Sequence, residues 1–345
     1  MTGQAMPFGP PDGFYVPAEE HAHARTFMQW PVNRTVHPDR WFLEDLQGAI
    51  ARLANTIATF EPVVMLMAPE HVAKARRRLS GDIDIWDIPT DDLWARDSGP
   101  LFVIGEEGEL AICSLNFNGW GNKQVHVNDG RIARQVANRL GLRVFDSGLV
   151  GEPGGVESDG DGTLIAQESC WVNPNRNTLT RPEIEARLLA AYGAEKMIWA
   201  PGLPGSDITD DHIDALARFA APGQILFQVP PDGDDDPFSV SARTTYDILS
   251  RATDAKGRRL ELTEVPTPHA PRVRSHDFVA SYVNYYVCNG GVVAAEFGDP
   301  ETDAEAEAIL RETYPDREIV MLNVDPIGEV GGGIHCATQQ QPAVS

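Results

Sequence analysis

Short strand-like runs and amphipathic helices alternate along the whole 345-residue chain, and no flexible linker divides it. Apolar residues recur at helical spacing between positions 39 and 60, whereas β-rich runs such as VVMLMAP (63–69) and TLIAQ (163–167) are typical of strands. Strand–strand–helix–strand units recur about five times without a close sequence repeat. The pattern predicts one repetitive, closed α/β domain over residues 1–345.

The remaining elements follow the same alternation. Further helices are predicted at 69–81, 130–141, 181–193, 240–252 and 301–314. Further strands are predicted at 83–89, 101–105, 110–118, 196–201, 224–230, 282–289, 292–297 and 318–324. The polar turn EEGE (106–109) joins two of these strands, and the acidic stretch at 230–237 predicts a surface loop.

The charge balance limits the partners. The chain carries 51 acidic and 28 basic residues, so its formal charge is −23. Such a charge repels polyanions and attracts small cations, which argues against nucleic acid as a partner. The four cysteines are scattered and form no CxxC pair, a pattern typical of reduced thiols and not of a disulfide-bonded secreted protein. Because neither a secretory signal nor an apolar run of roughly 18 residues is visible, we expect a cytoplasmic protein with no membrane partner.

One cysteine stands close to the end of the chain, in EVGGGIHCATQQQPAVS. Cys336 follows three glycines, Gly331, Gly332 and Gly333. A thiolate is a strong nucleophile, and glycines let the backbone approach a ligand closely. A buried structural cysteine after a flexible turn explains the same pattern equally well. Cys336 is therefore a candidate nucleophile.

Two other segments combine carboxylates with a ring. In DDLWARDSGP (91–100), Asp97 and its neighbouring aspartates surround Trp94 and Arg96, a grouping suited to a planar cation. In DITDDHIDALARF (207–219), His212 and Asp214 would share one face of an extended segment, where a histidine can move protons. An Asp–Arg surface turn and a core histidine are the alternative interpretations, and each pattern alone is weak.

The segment ESDGDGTLIAQE (157–168) nearly fits a calcium-binding EF-hand loop. Neither flank reads as a helix, so we expect a hairpin turn between two strands instead. His21 and His23 form an HxH pair without further ligands nearby, and the sequence contains no zinc, phosphate-loop or GxSxG signature. We therefore predict no metal site.

Taken together, these motifs resemble the agmatine deiminase family, relatives of the bacterial peptidyl-arginine deiminases among the guanidino-group modifying enzymes. The resemblance runs from GFYVPAEEHAHARTFMQWP (13–31) through LWARDSGPLFV, NFNGWG, EPGGVESDGDGT, NPNRN, TDDHIDALARF and SYVNYYVCNGGVVAAEFGD to GGGIHCATQQQP (331–342). It implies a five-bladed α/β propeller, the pentein fold, with pseudo-fivefold ββαβ units around a central active site. The spacing agrees, at about one position for each blade: Asp97, Glu152, His212, Asn284 and Cys336 lie 55, 60, 72 and 52 residues apart.

The resemblance also implies catalytic roles. Cys336 would be the nucleophile, His212 the general acid and base, and Glu152 the group that orients His212. Asp97 and Asp214 would hold the guanidinium. The implied reaction is attack of the thiolate on the guanidinium carbon, loss of ammonia and hydrolysis of a covalent thiouronium intermediate.

The implied substrate is agmatine, which would become N-carbamoylputrescine on the way to putrescine. Trp94 would form a wall for the planar group, and Asn284 and Gly333 would be further substrate-binding residues. The resemblance implies no metal and no organic cofactor, and it implies a homo-oligomer.

Differences from the family pattern leave the substrate open. Asp211 and Pro153 stand where members usually carry glycine, and Val330 stands where some do. The carboxylate of Asp211 either raises the pKa of His212, binds a second cationic group or points to solvent, and the role of Glu157 is also open.

Several alternatives remain beside agmatine deimination. The first is a peptidyl-arginine deiminase, followed by a deiminase of free arginine or another guanidino compound and by an amidino transferase. An inactive propeller that only binds a ligand is the alternative to an enzyme. A papain-like thiol protease is a weaker alternative, because its cysteine signature is missing.

Overall fold

The structure is a computed structural model that describes residues 8–231, 233–275 and 277–344. Within these ranges, sixteen strands form five separate sheets of mixed direction. The strands are β1 (His23–Gln29), β2 (Val63–Met67), β3 (Asp84–Asp87), β4 (Leu101–Ile104), β5 (Leu110–Ser114), β6 (Val144–Asp146), β7 (Val156–Ser158), β8 (Thr163–Gln167), β9 (Lys196–Ala200), β10 (Ala217–Ala221), β11 (Gln224–Gln228), β12 (Glu261–Val265), β13 (Tyr286–Cys288), β14 (Gly291–Ala295), β15 (Glu318–Leu322) and β16 (Gln339–Pro342). The α-helices are α1 (Arg40–Ile57), α2 (Pro69–Ala75), α3 (Ala95–Ser98), α4 (Gly119–Asn122), α5 (Ile132–Leu140), α6 (Glu168–Trp171), α7 (Arg181–Tyr192), α8 (Pro237–Leu249), α9 (Pro300–Thr313) and α10 (Asp325–Gly328).

Four of the sheets repeat one arrangement. In β4–β5–β6, β7–β8–β9, β10–β11–β12 and β13–β14–β15, an antiparallel pair is followed by a parallel strand. A helix precedes each third strand, namely α5, α7, α8 and α9, because neighbouring parallel strands need a crossover connection. The predicted α/β class and its strand–strand–helix–strand unit are confirmed.

In the first sheet, a strand from the N-terminal part of the chain pairs with a strand from the C-terminal part. Its order is β16–β1–β2–β3, with β16 antiparallel to β1 and the other pairs parallel. Because β16 begins at Gln339, this pairing carries the segment that contains Cys336 back to the N-terminal strand.

Several strands are apolar because they are buried on both faces. Every residue of β2, β8 and β14 is buried. Helix α1 packs Leu46, Ile50 and Leu53 into the core, and the carboxylate of Asp39 caps its first turn by accepting from the N–H of Phe42 at 2.7 Å.

Each predicted helix and strand corresponds to an element, with three large errors in length. The helix predicted at 69–81 ends at Ala75, the strand predicted at 110–118 ends at Ser114, and only Tyr286–Cys288 of the strand predicted at 282–289 is regular. Strands β1, β6, β7, β10, β12 and β16 were not predicted. The predicted hairpin turn at 159–162 is confirmed between β7 and β8, and the described part of 230–236 is a loop. No helix of the described ranges is long and apolar enough to cross a membrane.

Candidate active site

Five candidate residues occupy equivalent places in the five sheets. Each lies on the segment that leads into an edge strand, the strand named first when the strands of that sheet are given in spatial order. Asp97 precedes β4, Glu152 precedes β7, His212 precedes β10, Asn284 precedes β13 and Cys336 precedes β16. The structure brings these segments together. The Cys336 sulfur contacts Asn284, and His212 lies between Asp97 and Glu152.

The Cys336 thiol is half-buried, whereas the other three cysteines are buried. Its sulfur lies 3.5 Å from Asp214 Oδ2 and 3.3 Å from Asn284 Nδ2. Burial, and then the charges of Asp214 and Asp97, raise the pKa of this thiol well above its usual range. The thiol is therefore protonated near neutral pH.

Asp97 and Asp214 each keep one buried carboxylate oxygen, Oδ1, without a hydrogen-bond partner. In Asp97, Oδ2 accepts from Trp120 Nε1 at 2.9 Å; in Asp214, Oδ2 lies 2.6 Å from His335 Nδ1. Buried polar atoms are nearly always paired, so these two oxygens, of which Asp97 Oδ1 also lies 3.8 Å from His212 Nδ1, are available to accept from a further donor. A planar cation with several N–H groups would satisfy both oxygens.

The two carboxylates ionise differently. Burial raises the pKa of Asp97 to about 6 against the opposing charge of His212. Burial also disfavours charge on Asp214, but the contact with His335 outweighs it and the pKa of Asp214 falls below its usual value. Asp214 is therefore charged at neutral pH, and Asp97 loses its proton near pH 6.

His212 is held between two carboxylates. Its Nε2 lies 3.3 Å from Glu152 Oε2 and its Nδ1 lies 3.8 Å from Asp97 Oδ1. Burial disfavours the imidazolium, but Asp97 and Glu152 together outweigh burial and raise the pKa of His212 to about 9. Arg176 Nε, 3.0 Å from Glu152, fixes that carboxylate against the ring. His212 is therefore protonated at neutral pH and can act as an acid.

His335, which the sequence analysis did not assign, supports Asp214. Its Nδ1 faces Asp214, and its Nε2 lies 3.0 Å from Glu19 Oε2. Both ring nitrogens of His335 therefore face carboxylate oxygens. Glu19 is also bound by Arg96 at 2.9 Å and Arg218 at 3.0 Å. The motif GGGIHC contains His335, but Asp214 lies 121 residues away in the chain and nothing in the sequence links the two.

Trp120 and Arg176 were also unassigned. Both lie inside motifs that carry the resemblance, NFNGWG and NPNRN, and this was the available signal. Their function depends on contacts with Asp97 and Glu152, which come from other segments.

The glycines before Cys336 are required by close packing. A Cβ on Gly332 would lie 2.3 Å from the Trp94 ring, and a Cβ on Gly333 would lie 2.2 Å from Asn284 Oδ1. Gly331 has φ +90°, a conformation that favours glycine. Trp94 is 5% exposed, and its ring packs against Gly332 on the segment that leads to Cys336.

The predicted extended segment through His212 and Asp214 is wrong, because Ile213–Ala215 form a 3-10 turn. The N–H of Leu216 bonds back to the carbonyl of Ile213 at 2.9 Å, and β10 begins only after this turn. Both side chains nevertheless face the site, since His212 contacts Glu152 and Asp214 approaches the thiol.

Asp211 and Glu157, whose roles the sequence left open, both bind other side chains. Asp211 Oδ2 accepts from Gln167 Nε2 at 3.2 Å, and burial, followed by the nearby charge of Asp207, raises its pKa to about 7. Its φ of +73° lies in the region that favours glycine. Glu157 is buried and lies 2.8 Å from Arg218 Nε, inside the network that holds Glu19.

Comparisons with known proteins show which family this chain belongs to. The sequence model of the Porphyromonas-type peptidyl-arginine deiminase family matches residues 15–342. A putative agmatine deiminase of Streptomyces avermitilis is 40% identical, covering 96% of this chain and 98% of its own length. An agmatine deiminase of Stutzerimonas stutzeri is 38% identical, covering 96% of both chains. The solved structure of an agmatine deiminase of Enterococcus faecalis superposes with a TM-score of 0.88 at 28% identity, covering 98% of this chain and 99% of that one. The chain therefore belongs to the family of Porphyromonas-type peptidyl-arginine deiminases and agmatine deiminases, as its motifs predicted.

Proposed function

We propose that this protein is an agmatine deiminase, a hydrolase that converts the guanidinium of agmatine into a ureido group and releases ammonia. The observation that carries the proposal is that Asp97 and Asp214, the two carboxylates whose charges act on the Cys336 thiol, each keep a buried Oδ1 without a hydrogen-bond partner. The agmatine deiminases among its relatives support the choice of substrate. The formal charge of −23 favours a small cation over an anionic substrate.

Binding would use charge and shape together. A guanidinium remains protonated at any physiological pH and presents a planar fork of N–H groups. Asp97 and Asp214 would each accept from it through the free Oδ1, and the indole of Trp94 would close the planar site on one side.

Substrate binding would also activate the nucleophile. Burial, and then the charges of Asp214 and Asp97, raise the pKa of the Cys336 thiol, so a bound cation that offsets both charges would lower it. The thiol proton leaves to solvent, and the thiolate adds to the guanidinium carbon to form a neutral tetrahedral adduct.

His212 would serve both halves of the reaction. The imidazolium donates its proton to one amino group, ammonia departs, and a cationic thiouronium remains on Cys336. Neutral His212 then takes a proton from water as the oxygen adds to the same carbon. Collapse of that adduct breaks the carbon–sulfur bond and leaves the ureido product, and the remaining hydroxyl proton returns to sulfur or solvent. Glu152, held by Arg176, keeps the ring in place.

The five equivalent segments support a finer description of the fold. Each sheet supplies one site residue from the segment before its first strand, which is the arrangement expected of a single-domain, five-bladed α/β propeller of the pentein type. Four cysteines without a disulfide partner fit a cytoplasmic enzyme in a putrescine-forming reaction sequence. A homo-oligomer without nucleic-acid or membrane partners completes the proposal.

The test compares ammonia release from agmatine, free arginine and a peptide with C-terminal arginine. Agmatine should be turned over fastest, and equal or faster turnover of the peptide would make this a peptidyl-arginine deiminase instead. Cys336→Ala should abolish ammonia release while the circular dichroism spectrum and guanidine binding persist. Cys113→Ala, at a buried cysteine of β5, is the matched control and should remain active.

A further inference from the structure

The ring of His335 lies between two buried carboxylates that come from distant parts of the chain. Its Nδ1 lies 2.6 Å from Asp214 Oδ2, and its Nε2 lies 3.0 Å from Glu19 Oε2. The backbone of the same residue is also held, because its N–H donates to Asn284 Oδ1 at 3.0 Å and its carbonyl accepts from Arg96 Nε at 3.3 Å. The ring therefore has a fixed position, with a carboxylate at each nitrogen.

Segments of all five sheets meet around Glu19. This residue precedes β1, and its carboxylate accepts from Arg96 Nη2 at 2.9 Å, just before β4. It also accepts from Arg218 Nη2 at 3.0 Å, in β10, and from the backbone N–H of Val287 at 2.9 Å, in β13. Arg218 Nε lies 2.8 Å from Glu157, in β7. Glu19 is therefore a rigid anchor for the ring.

The contact with His335 gives the two oxygens of Asp214 different tasks. Oδ2 faces the ring, whereas Oδ1 is buried without a hydrogen-bond partner. The terminal torsion of an aspartate is broad, so a carboxylate that nothing holds presents its oxygens over a wide range of directions. Because Oδ2 is held, Oδ1 keeps one direction before any substrate arrives.

The same contact keeps Asp214 charged. Burial disfavours the carboxylate, but the contact with His335 outweighs burial and holds the pKa of Asp214 below its usual value. Without the ring, burial would act on this carboxylate with less opposition, so its pKa would rise. The titratable and charged groups that face Asp214 are His335 before β16, His212 before β10, Arg218 in β10, Asp97 before β4, Glu157 in β7 and the Cys336 thiol.

We propose that His335 is a positioning residue for substrate binding: anchored on Glu19, its ring holds Asp214 Oδ2 so that Oδ1 is presented to the guanidinium. The residue acts through Asp214 and so controls substrate affinity. This assignment rests on the proposed binding of a guanidinium between Asp97 and Asp214. The alternative is a ring that only ties the C-terminal segment to Glu19.

Two amide substitutions separate the two contacts of the ring. The amide of asparagine reaches about as far as Nδ1, so His335→Asn keeps a donor for Asp214 and loses Glu19. The amide of glutamine reaches about as far as Nε2, so His335→Gln keeps a donor for Glu19 and loses Asp214. Each variant is the matched control for the other. Agmatine binding is measured by calorimetry from pH 5 to 8, in a Cys336→Ala parent that prevents turnover.

His335→Gln should weaken agmatine binding at pH 7.5 by about tenfold or more, because a hydrogen bond to a charged group is worth at least that factor. His335→Asn should stay within about threefold of the parent.

The pH dependence distinguishes a positioning role from a general loosening of the site. In the parent, Asp97 gains one proton below about pH 6, so log Kd should rise by about one unit for each pH unit of acidification. In His335→Gln, Asp214 should take up a second proton in the acid range, so log Kd should rise more steeply than in the parent. A general loosening would raise Kd by the same factor at every pH.

A folded His335→Gln variant that binds like the parent would overturn this assignment, and so would a larger loss of affinity in His335→Asn than in His335→Gln. The second result would show that the ring serves only to tie its segment to Glu19. If His335→Gln fails to fold by circular dichroism, His335→Ala carries the same test and should show the same steeper pH dependence. A parent that binds no agmatine would refute the proposed function itself and this assignment with it, so the two failures are distinguishable.

Discussion

Replacing Glu152 by Gln should move the alkaline limit of activity to lower pH. Glu152 Oε2 lies 3.3 Å from His212 Nε2, and both groups are buried. The proposed mechanism needs protonated His212 to expel ammonia, so kcat/KM should fall as pH rises through the pKa of His212. Glutamine keeps the shape and still accepts from Arg176, but it removes the negative charge.

The structure sets the size of this shift. The pKa of His212 is raised from 6.5 to about 9 although burial opposes the rise. The net stabilisation of the imidazolium is therefore about 3 kcal/mol, and Asp97, Glu152 and Asp214 supply it against the opposing effect of burial. Losing the charge of Glu152 should lower the pKa of His212 by about one to two units, which places the alkaline limb near pH 7 to 8.

The assay is the pH dependence of kcat/KM for agmatine, paired with an NMR titration of the histidine rings in which His212→Asn assigns the signal. Glu307→Gln is the control, because Glu307 is a surface carboxylate paired with Arg311. Its profile should match the wild type. A folded Glu152→Gln enzyme whose His212 still titrates near 9 would refute the view that Glu152 keeps this ring charged.

Two further outcomes follow from the site. Burial raises the pKa of Asp97 to about 6, and the proton that Asp97 gains on acidification removes one acceptor for the guanidinium. KM for agmatine should therefore rise as pH falls through about 6. In Asp97→Asn, KM should be high at every pH and show no such step. Gly332→Ala would place a Cβ 2.3 Å from the Trp94 ring, so chemical denaturation should show a loss of about 1 to 3 kcal/mol, accompanied by a lower kcat. Gly81→Ala, where the added Cβ meets nothing within 4 Å, is its control and should leave activity intact.

Periodicity predicted the long elements well and the short polar ones poorly. Helix α1 and strand β14 are apolar where they are buried, so their sequences carry the signal. Strand β16 has the sequence QQQP and is a strand because it pairs with β1 from the opposite end of the chain. The strand predicted at 282–289 is irregular before Tyr286, where Asn284 bonds to the Cys336 segment in place of a neighbouring strand.

The motifs identified the residues with reactive or charged side chains but not the groups that support them. Asp97, Asp214, His212, Glu152 and Cys336 were all named from the sequence, and the structure brings them into one site. Their supporting partners, such as the histidine next to the cysteine, depend on contacts between segments distant in the chain. Such contacts leave no local pattern to detect.

The sequence alone determined the class of fold, the strong negative charge and the kinds of side chain available for chemistry. Only the tertiary structure decided their protonation states. A thiol that burial and two carboxylates keep neutral, and an imidazole that carboxylates keep charged against burial, each depend on groups brought close in space. The physical reason is that electrostatic energies depend on distance and burial, and the chain sets both only when residues from different sheets meet at one point.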